Sequence, residues 1–474
     1  MPDPPAVNTA AEARPIGPGW ELFVDECLLS RRAGAVLRLH PPVPRDVVFA
    51  FDAPWEGPHS GYVTMLTHGG EHRLYYRGWQ LPLNEYVQST AVAVSRDGVG
   101  WERPTLGHIA WQETRANNLV WTGDRSHNFT PFVDTNPAAP EEARFKAISS
   151  VRIKAPAPWP RGLVPYVSND GYRWHEAAAA PVITDGKFDS QNLAFWDSFE
   201  HAYVAYYRDV LATEGGAPVR AIKRATSPDF VRWTPGEWLD YGDAPIQHLY
   251  TNSVTPYARA NRLYLAFPKR YVPGRGLYTA ADFPDARLES GLTDGLFMTS
   301  RDGRHWDQYF REAFLRPGRD PRNWTDRSNE IAWGLVQTGP DELSLYWLEH
   351  FHHPSCRLRR GTLRLDGFAS LSAGYAGGEA VTHPLLVSGG ELVLNYATSA
   401  AGSVRVEVQD AAGVPISGYE LAESPVLYGD AVDRCVRWQG DRAIGLLAGP
   451  PVRLRFVLQD ADLFAFRIGQ RSGP

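Results

Sequence analysis

The chain has 474 residues, 43% hydrophobic, 12% aromatic and 22% charged, with a formal net charge of -6. That is apolar material for a large core, yet no apolar run reaches the 18 residues of a membrane-crossing helix, and the charge offers nothing to attract nucleic acid or an anionic lipid surface. Glycine (43) and proline (38), together about one residue in six, argue against a helical protein.

In chain order, Met1 to Gly19 is Pro/Ala-rich, with neither a basic n-region nor an apolar h-region. The expectation is a cytoplasmic protein without a signal peptide. Cys27, Cys356 and Cys435 form no CxxC pair and supply no zinc site, so reduced thiols and no cofactor are expected. Residues 1–39 read as an N-terminal segment with one strand, Trp20–Leu29. It either completes the last sheet of the following domain or packs on the C-terminal one.

From about residue 40 to 365 one pattern recurs. Ser95-Arg96-Asp97-Gly98-Val99-Gly100-Trp101 returns as Ser168–Trp174, Ser227–Trp233 and Ser300–Trp306, with the tryptophans 73, 59 and 73 residues apart. The consensus is S-x-D-[GF]-x-x-W. Asp-Gly predicts a tight turn whose carboxylate accepts backbone N–H groups, and the indole covers neighbouring strands. Each copy follows paired strands: Gly61–His68 with Arg73–Trp79, Phe129–Asp134 with Arg144–Val151, Asn192–Ser198 with His201–Asp209, and Ser253–Arg259 with Arg262–Tyr271. A fifth pair, Asn329–Thr338 and Glu342–His350, lacks the turn. Four antiparallel strands per 60–70 residues make a blade, so residues 40–365 predict a five-bladed β-propeller. After Asp366 the alternation at Glu391–Thr398, Ser403–Asp410, Val432–Gln439, Val452–Leu458 and Phe464–Ile468 predicts a β-sandwich accessory domain over 366–474. The fold class is all-β.

Connectivity selects a face. With antiparallel strands, the starts of the innermost strands, the ends of the second strands and the starts of the third share one end of the ring, and the repeated turns lie at the other. The innermost starts carry Glu56, His59 and Ser60; Asp124, His127 and Asn128; Asp189, Gln191 and Asn192; His248, Tyr250 and Asn252; Arg327, Asn329 and Glu330. The second-strand ends add Arg77, Arg208, Asp209, Lys269, Arg270, Glu349 and His350, among Trp55, Trp79, Phe188 and Trp333. A polar, aromatic-lined mouth suits a sugar, whose hydroxyls need fixed donors and acceptors and whose apolar faces stack on rings. Glu56, Asp189 and Glu330 stand at comparable entrance positions, and glycosidic cleavage needs two carboxyl groups, one protonated and one ionised. These three are the catalytic candidates. His127, Asn128, Asn192, Tyr250, Asn252, Arg77, Arg208 and Trp333 are the substrate-binding candidates, against the alternative of blade-to-blade hydrogen bonds and internal salt bridges. His350 and His352 share a strand face and His353 does not, so ordinary histidines are expected there and no metal site.

The four turns, the strand pair Leu193-Ala194-Phe195-Trp196-Asp197 with Ala202–Tyr207, and the trailing strands resemble the five-bladed propeller superfamily of glycoside hydrolases that includes invertases, levansucrases and arabinanases. The opening Leu22-Phe23-Val24-Asp25 and the stretch Asp189-Ser190-Gln191-Asn192 also resemble a bacterial group described as glycosyl-hydrolase-like. The resemblance implies an Asp on the first blade, an Asp on the second and a Glu on the third. This chain has Glu56, then His127-Asn128 with Asp124 slightly outside, then Asp189. The expected function is therefore cleavage or transfer of a small glycoside or oligosaccharide, furanosides included, by a relocated set of acids. The alternatives are a carbohydrate-binding propeller without turnover, or a sialidase-like enzyme using its arginines on an acidic sugar. A carbohydrate is the expected partner, with no nucleic acid or membrane.

Overall fold

The computed structural model describes residues 13–79, 88–123, 125–150, 161–213 and 215–469. Asp124 lies outside them. The described residues hold strands and short 3-10 turns, with no α-helix. The chain divides into two compact units: Pro41–Pro256 with Arg262–Leu363, and the chain up to His40 with Tyr257–Asn261 and everything from Arg364 onward.

The larger unit is a succession of antiparallel sheets. The first joins Gly61–His68, Glu71–Gly78, Ser89–Ser95 and Leu119–Thr122. The second joins His127–Val133, Phe145–Ser150, Leu163–Ser168 and His175–Glu176, and the third joins Leu193–Asp197, Ala202–Leu211, Val219–Ser227 and Glu237–Trp238. The fourth region departs from the expected single sheet. It forms two three-stranded sheets, His248–Leu249, Lys269–Val272 and Leu292–Gly295 beside Thr255–Pro256, Tyr264–Ala266 and Met298–Ser300. The expected strand Arg262–Tyr271 breaks at Phe267-Pro268, where proline has no N–H for the ladder. The last sheet joins Val336–Gly339, Glu342–Glu349 and Arg357–Arg364, and its outer strand is Val43–Ala50, paired from Thr362↔Val43 to Arg357↔Ala50. Chain-distant segments thus share one sheet, and Trp20–Leu29 is not the strand that completes it.

The repeated turns lock neighbouring sheets. In every copy the Asp Oδ1 accepts two backbone N–H groups at 2.7–3.0 Å. Tyr346 of the last sheet donates its hydroxyl to Gly98 O (2.6 Å), Tyr75 of the first to Gly171 O (2.8 Å), and Tyr206 of the third to Gly303 O (2.8 Å). Each of these tyrosines also meets the tryptophan of that turn edge-on, at 6.1–6.5 Å. The three glycines have φ of +72°, +77° and +73°, which glycine adopts without a Cβ penalty. The third copy holds Phe230 at φ +69° instead, and its buried ring packs on Phe132 (5.5 Å) and Tyr203 (5.3 Å) of the second and third sheets. A buried ring replaces the tyrosine hydrogen bond there.

The smaller unit is a ten-stranded sheet built on two long strands, Glu391–Asp410 and Val452–Gly469, paired along almost their full length. The N-terminal strands belong to it: Glu21–Leu22 pairs with Phe466 and Ala465, and Leu29–Ala33 pairs with Gly378–Thr382. Phe23, Phe456 and Phe466 pack ring to ring at 5.6–5.8 Å in its core.

Candidate active site

The innermost strands of the larger unit begin with unusual backbone. Tyr62 (φ +50°), Asn128 (+57°), Ser253 (+44°), Arg327 (+66°) and Asn329 (+62°) all lie in the left-handed region. Register breaks follow Gly61 and His127 in the first two sheets. Such breaks re-aim side chains, and non-glycine residues persist in this region only where surroundings hold them.

Asp189 is the exposed member of this region. Its side chain is 69% accessible, and Oδ1 lies 3.0 Å from His127 Nε2. The loop beneath it is pinned by buried polar groups: Asn192 Nδ2 donates to Phe188 O (2.9 Å) and Ser190 O (3.0 Å), Asn128 Nδ2 donates to Ser190 O (2.8 Å), and Ser190 Oγ donates to Tyr250 O (2.5 Å). Phe188 is buried beneath against Tyr207, 5.6 Å between rings. Desolvation would raise the Asp189 pKa, but the His127 hydrogen bond and the charges of His127, Arg208 and Arg327 outweigh it and hold the carboxyl well below the usual carboxylate range. His127 is itself buried and oriented by Gln88 Oε1, 2.8 Å from Nδ1.

Around this pair the structure gathers Arg208, Tyr250, Arg77, Tyr62, Lys269 and Glu330. Arg208 Nε donates to Lys187 O (2.9 Å), and the guanidinium lies 5.5 Å from the Tyr250 ring centre. Buried Arg77 donates to Asn128 Oδ1 (3.0 Å) and His59 O (2.8 Å) and lies 4.5 Å from the Tyr62 ring centre. Desolvation lowers its pKa. Glu330 accepts the Tyr62 N–H (2.9 Å) and pairs with buried Lys269, whose pKa burial also lowers. Burial, then the neighbouring Tyr250, raises the Tyr62 phenol, so it stays protonated and able to donate. Asp189 and Glu330 both act electrostatically on Tyr62 and Arg77.

Other predicted residues go elsewhere. Glu56 is fully buried, its oxygens taken by Tyr76, by Arg103 at 2.9 and 2.7 Å, and by the Ala53 N–H at 3.0 Å. It is a fold ion pair and does not face Asp189. Asn252 is spent on Val254 N–H (3.2 Å) and Tyr206 O (3.4 Å), and Trp333 donates to Val254 O (2.7 Å), so both hold backbone. Asn128 and Asn192 position Asp189, because their amide groups are committed to the loop. His350 is held by Asp320 (2.8 Å) and Ser355 (2.9 Å), and buried His352 lies ring to ring with His59 at 4.5 Å. Among the described residues no group of three or more ligand-type side chains is arranged to hold a metal ion.

Several members escaped the sequence reading. Gln88, just before the strand Ser89–Ser95, orients His127. Tyr62 follows Gly61 at the register break, a position that only the pairing identifies. Arg220 lies 5.1 Å from the Tyr250 ring centre. Buried Asp326, between Arg327 Nε (3.1 Å) and the Glu289 N–H (3.3 Å), has its pKa raised to about 6, chiefly by desolvation and further by Glu289, against the charge of Arg327. A cleft of about 440 Å³ lined by Arg270, Leu292, Arg316 and Trp324 lies in the fourth region and includes none of these groups.

No family model and no curated protein matches the chain. Among solved structures it is similar to a protein described as a glycoside hydrolase (TM-score 0.48, 10% identity, 71% of this chain and 95% of that one). It is similar to an N-acetylgalactosamine deacetylase from F. plautii in complex with blood group B trisaccharide (TM-score 0.44, 12% identity, 69% and 96%). It is also similar to a fructofuranosidase variant from Schwanniomyces occidentalis complexed with fructosylnystose (TM-score 0.40, 9% identity, 89% and 96%).

Proposed function

We propose that the succession of sheets in residues 41–363 is a five-bladed β-propeller, that the C-terminal strands form an accessory β-sandwich, and that the protein cleaves or transfers a glycosidic bond at the mouth around Asp189. The tyrosine locks from the last sheet to the first, the first to the second and the third to the fourth support a closed ring. The observation that carries the chemistry is Asp189 itself: exposed, ionised, fixed by His127 and flanked by guanidinium groups. An ionised carboxylate is what a glycosidase needs as nucleophile or as base for water. The proton donor assigned is Asp326, buried 3.1 Å from Arg327 Nε, whose charge also acts on Asp189, with its pKa raised to about 6. Tyr62, Tyr250 and Arg208 supply donors for sugar oxygens. Glu330 serves by holding Lys269 and the Tyr62 backbone.

The test is a panel of aryl pyranosides, furanosides and uronosides with wild type and Asp189→Asn. Turnover of at least one member, reduced about 1,000-fold or more in a folded variant, supports the reading. Sugar binding without turnover by wild type supports the non-catalytic alternative, and unchanged turnover in the variant removes Asp189 from the chemistry.

A further inference from the structure

Besides buried Arg77, which is held by Asn128 Oδ1 and His59 O, two arginines in this mouth form no salt bridge among the described residues. Arg208 is 8% exposed, yet only its Nε is bonded, to Lys187 O at 2.9 Å; its two terminal nitrogens make no hydrogen bond among the described residues. Arg220 is half-buried. Its Nη1 faces His248 Nδ1 at 3.4 Å and its Nε is buried without a partner. His248 Nδ1 already accepts the Arg220 backbone N–H (3.1 Å), so it offers that guanidinium no charge. Both guanidinium groups lie over the Tyr250 ring, at 5.5 and 5.1 Å, and Arg220 also lies 4.8 Å from the Tyr271 ring centre. The other cation on Tyr250, Lys269, has Glu330. Like charges gathered at one ring with no carboxylate in salt-bridge contact are unfavourable unless an anion joins them.

We infer that Arg208 and Arg220 bind a carboxylate carried by the sugar, so that the substrate is a uronic-acid glycoside. This rests on the glycoside reading, because the field of Arg208 reaches Asp189 and so places the acidic group on the reacting sugar or beside it. A guanidinium fork matches the two oxygens of a planar carboxylate. Half-buried Tyr271 supplies apolar surface for the ring that bears it.

The experiment is calorimetric titration of the full chain with D-galacturonate and D-glucuronate against D-galactose and D-glucose. Wild type should bind one uronate at least about 10-fold more tightly than its neutral counterpart, and the preference should fall below about 2-fold in Arg208→Gln and in Arg220→Gln, with circular dichroism unchanged. Arg208→Lys, which keeps the charge and loses the fork, should be intermediate. Equal affinity for the neutral sugar, no heat with either uronate at about 10 mM, or a preference that survives both Gln variants overturns the inference. Displacement of uronate by equimolar inorganic phosphate or sulfate also overturns it, in favour of a free oxyanion. The two readings fail separately. Uronate preference without turnover on any glycoside leaves this inference standing and removes the glycosidase. Asp189-dependent cleavage of a neutral glycoside without uronate preference does the reverse.

Discussion

The Asp189 carboxylate and the His127 imidazole meet at 3.0 Å across 62 residues of chain, the first exposed and the second buried. A buried ring fixed by Gln88 thereby sets the charge of an exposed acid. His127→Gln should let the Asp189 pKa rise toward the ordinary carboxylate value near 4. Activity that needs ionised Asp189 is kept above its pKa and lost below it. The acid limb of the kcat/KM profile should therefore move up by about one pH unit or more in the variant. A limb that stays in place would detach His127 from the ionisation.

Glu56 and Asp189 should separate in stability measurements. Glu56→Gln leaves Arg103, 30% exposed, without its buried partner and should cost about 2–3 kcal/mol, discounted for that exposure. Asp189→Asn should cost less, about 1–2 kcal/mol, because the partners that lower its pKa act on a side chain that is 69% accessible. Urea unfolding of both variants checks the contrast.

Lys269 and Glu330 form a pair with side chains 1% and 4% accessible. Lys269→Met alone leaves a buried carboxylate uncompensated and should cost about 3–5 kcal/mol. Adding Glu330→Leu should recover most of that loss, since two apolar groups need no compensation. A double variant no more stable than the single would show that Glu330 has other partners of equal weight.

Asp326 binds its proton more tightly folded than unfolded, near pH 6 against an ordinary 3.8. Its contribution to stability is fully present below about pH 4 and falls as the pH rises through 6, by up to about 3 kcal/mol. Asp326→Asn stays neutral throughout. The wild-type minus variant stability should therefore decline between pH 4 and 7, and a flat difference would place the Asp326 pKa at its ordinary value.

The inter-sheet locks should be sensitive to one methyl group. A Cβ on Gly171 would lie 2.4 Å from Arg73 Nη1 and 2.7 Å from the Tyr75 hydroxyl, at φ +77°. Gly171→Ala should cost about 1–2 kcal/mol from the backbone conformation, plus the displaced contacts, and Tyr75→Phe about 1 kcal/mol. Thermal unfolding reads both.

The architecture was legible because its signals are local. Ser-x-Asp-Gly makes its own hydrogen bonds within six residues, short runs of apolar and aromatic residues mark Gly61–His68 and Glu342–Glu349, and Phe230 in place of glycine marks the odd turn. The clustering of polar groups at the innermost strand starts, and Asp189 among them, could be read for the same reason: it follows from strand order. Which of those groups stays free was decided by tertiary structure. Glu56, Asp189 and Glu330 look alike as entrance carboxylates, yet Arg103 takes the first, Lys269 takes the last, and Asp189 alone keeps an accessible side chain. Likewise Val43–Ala50 completes the last sheet across more than three hundred residues, and Arg220 reaches Tyr250 from another strand. A turn is stabilised by atoms its own residues carry. The charge and reach of a buried side chain depend on whatever distant cation, amide or ring the fold places against it.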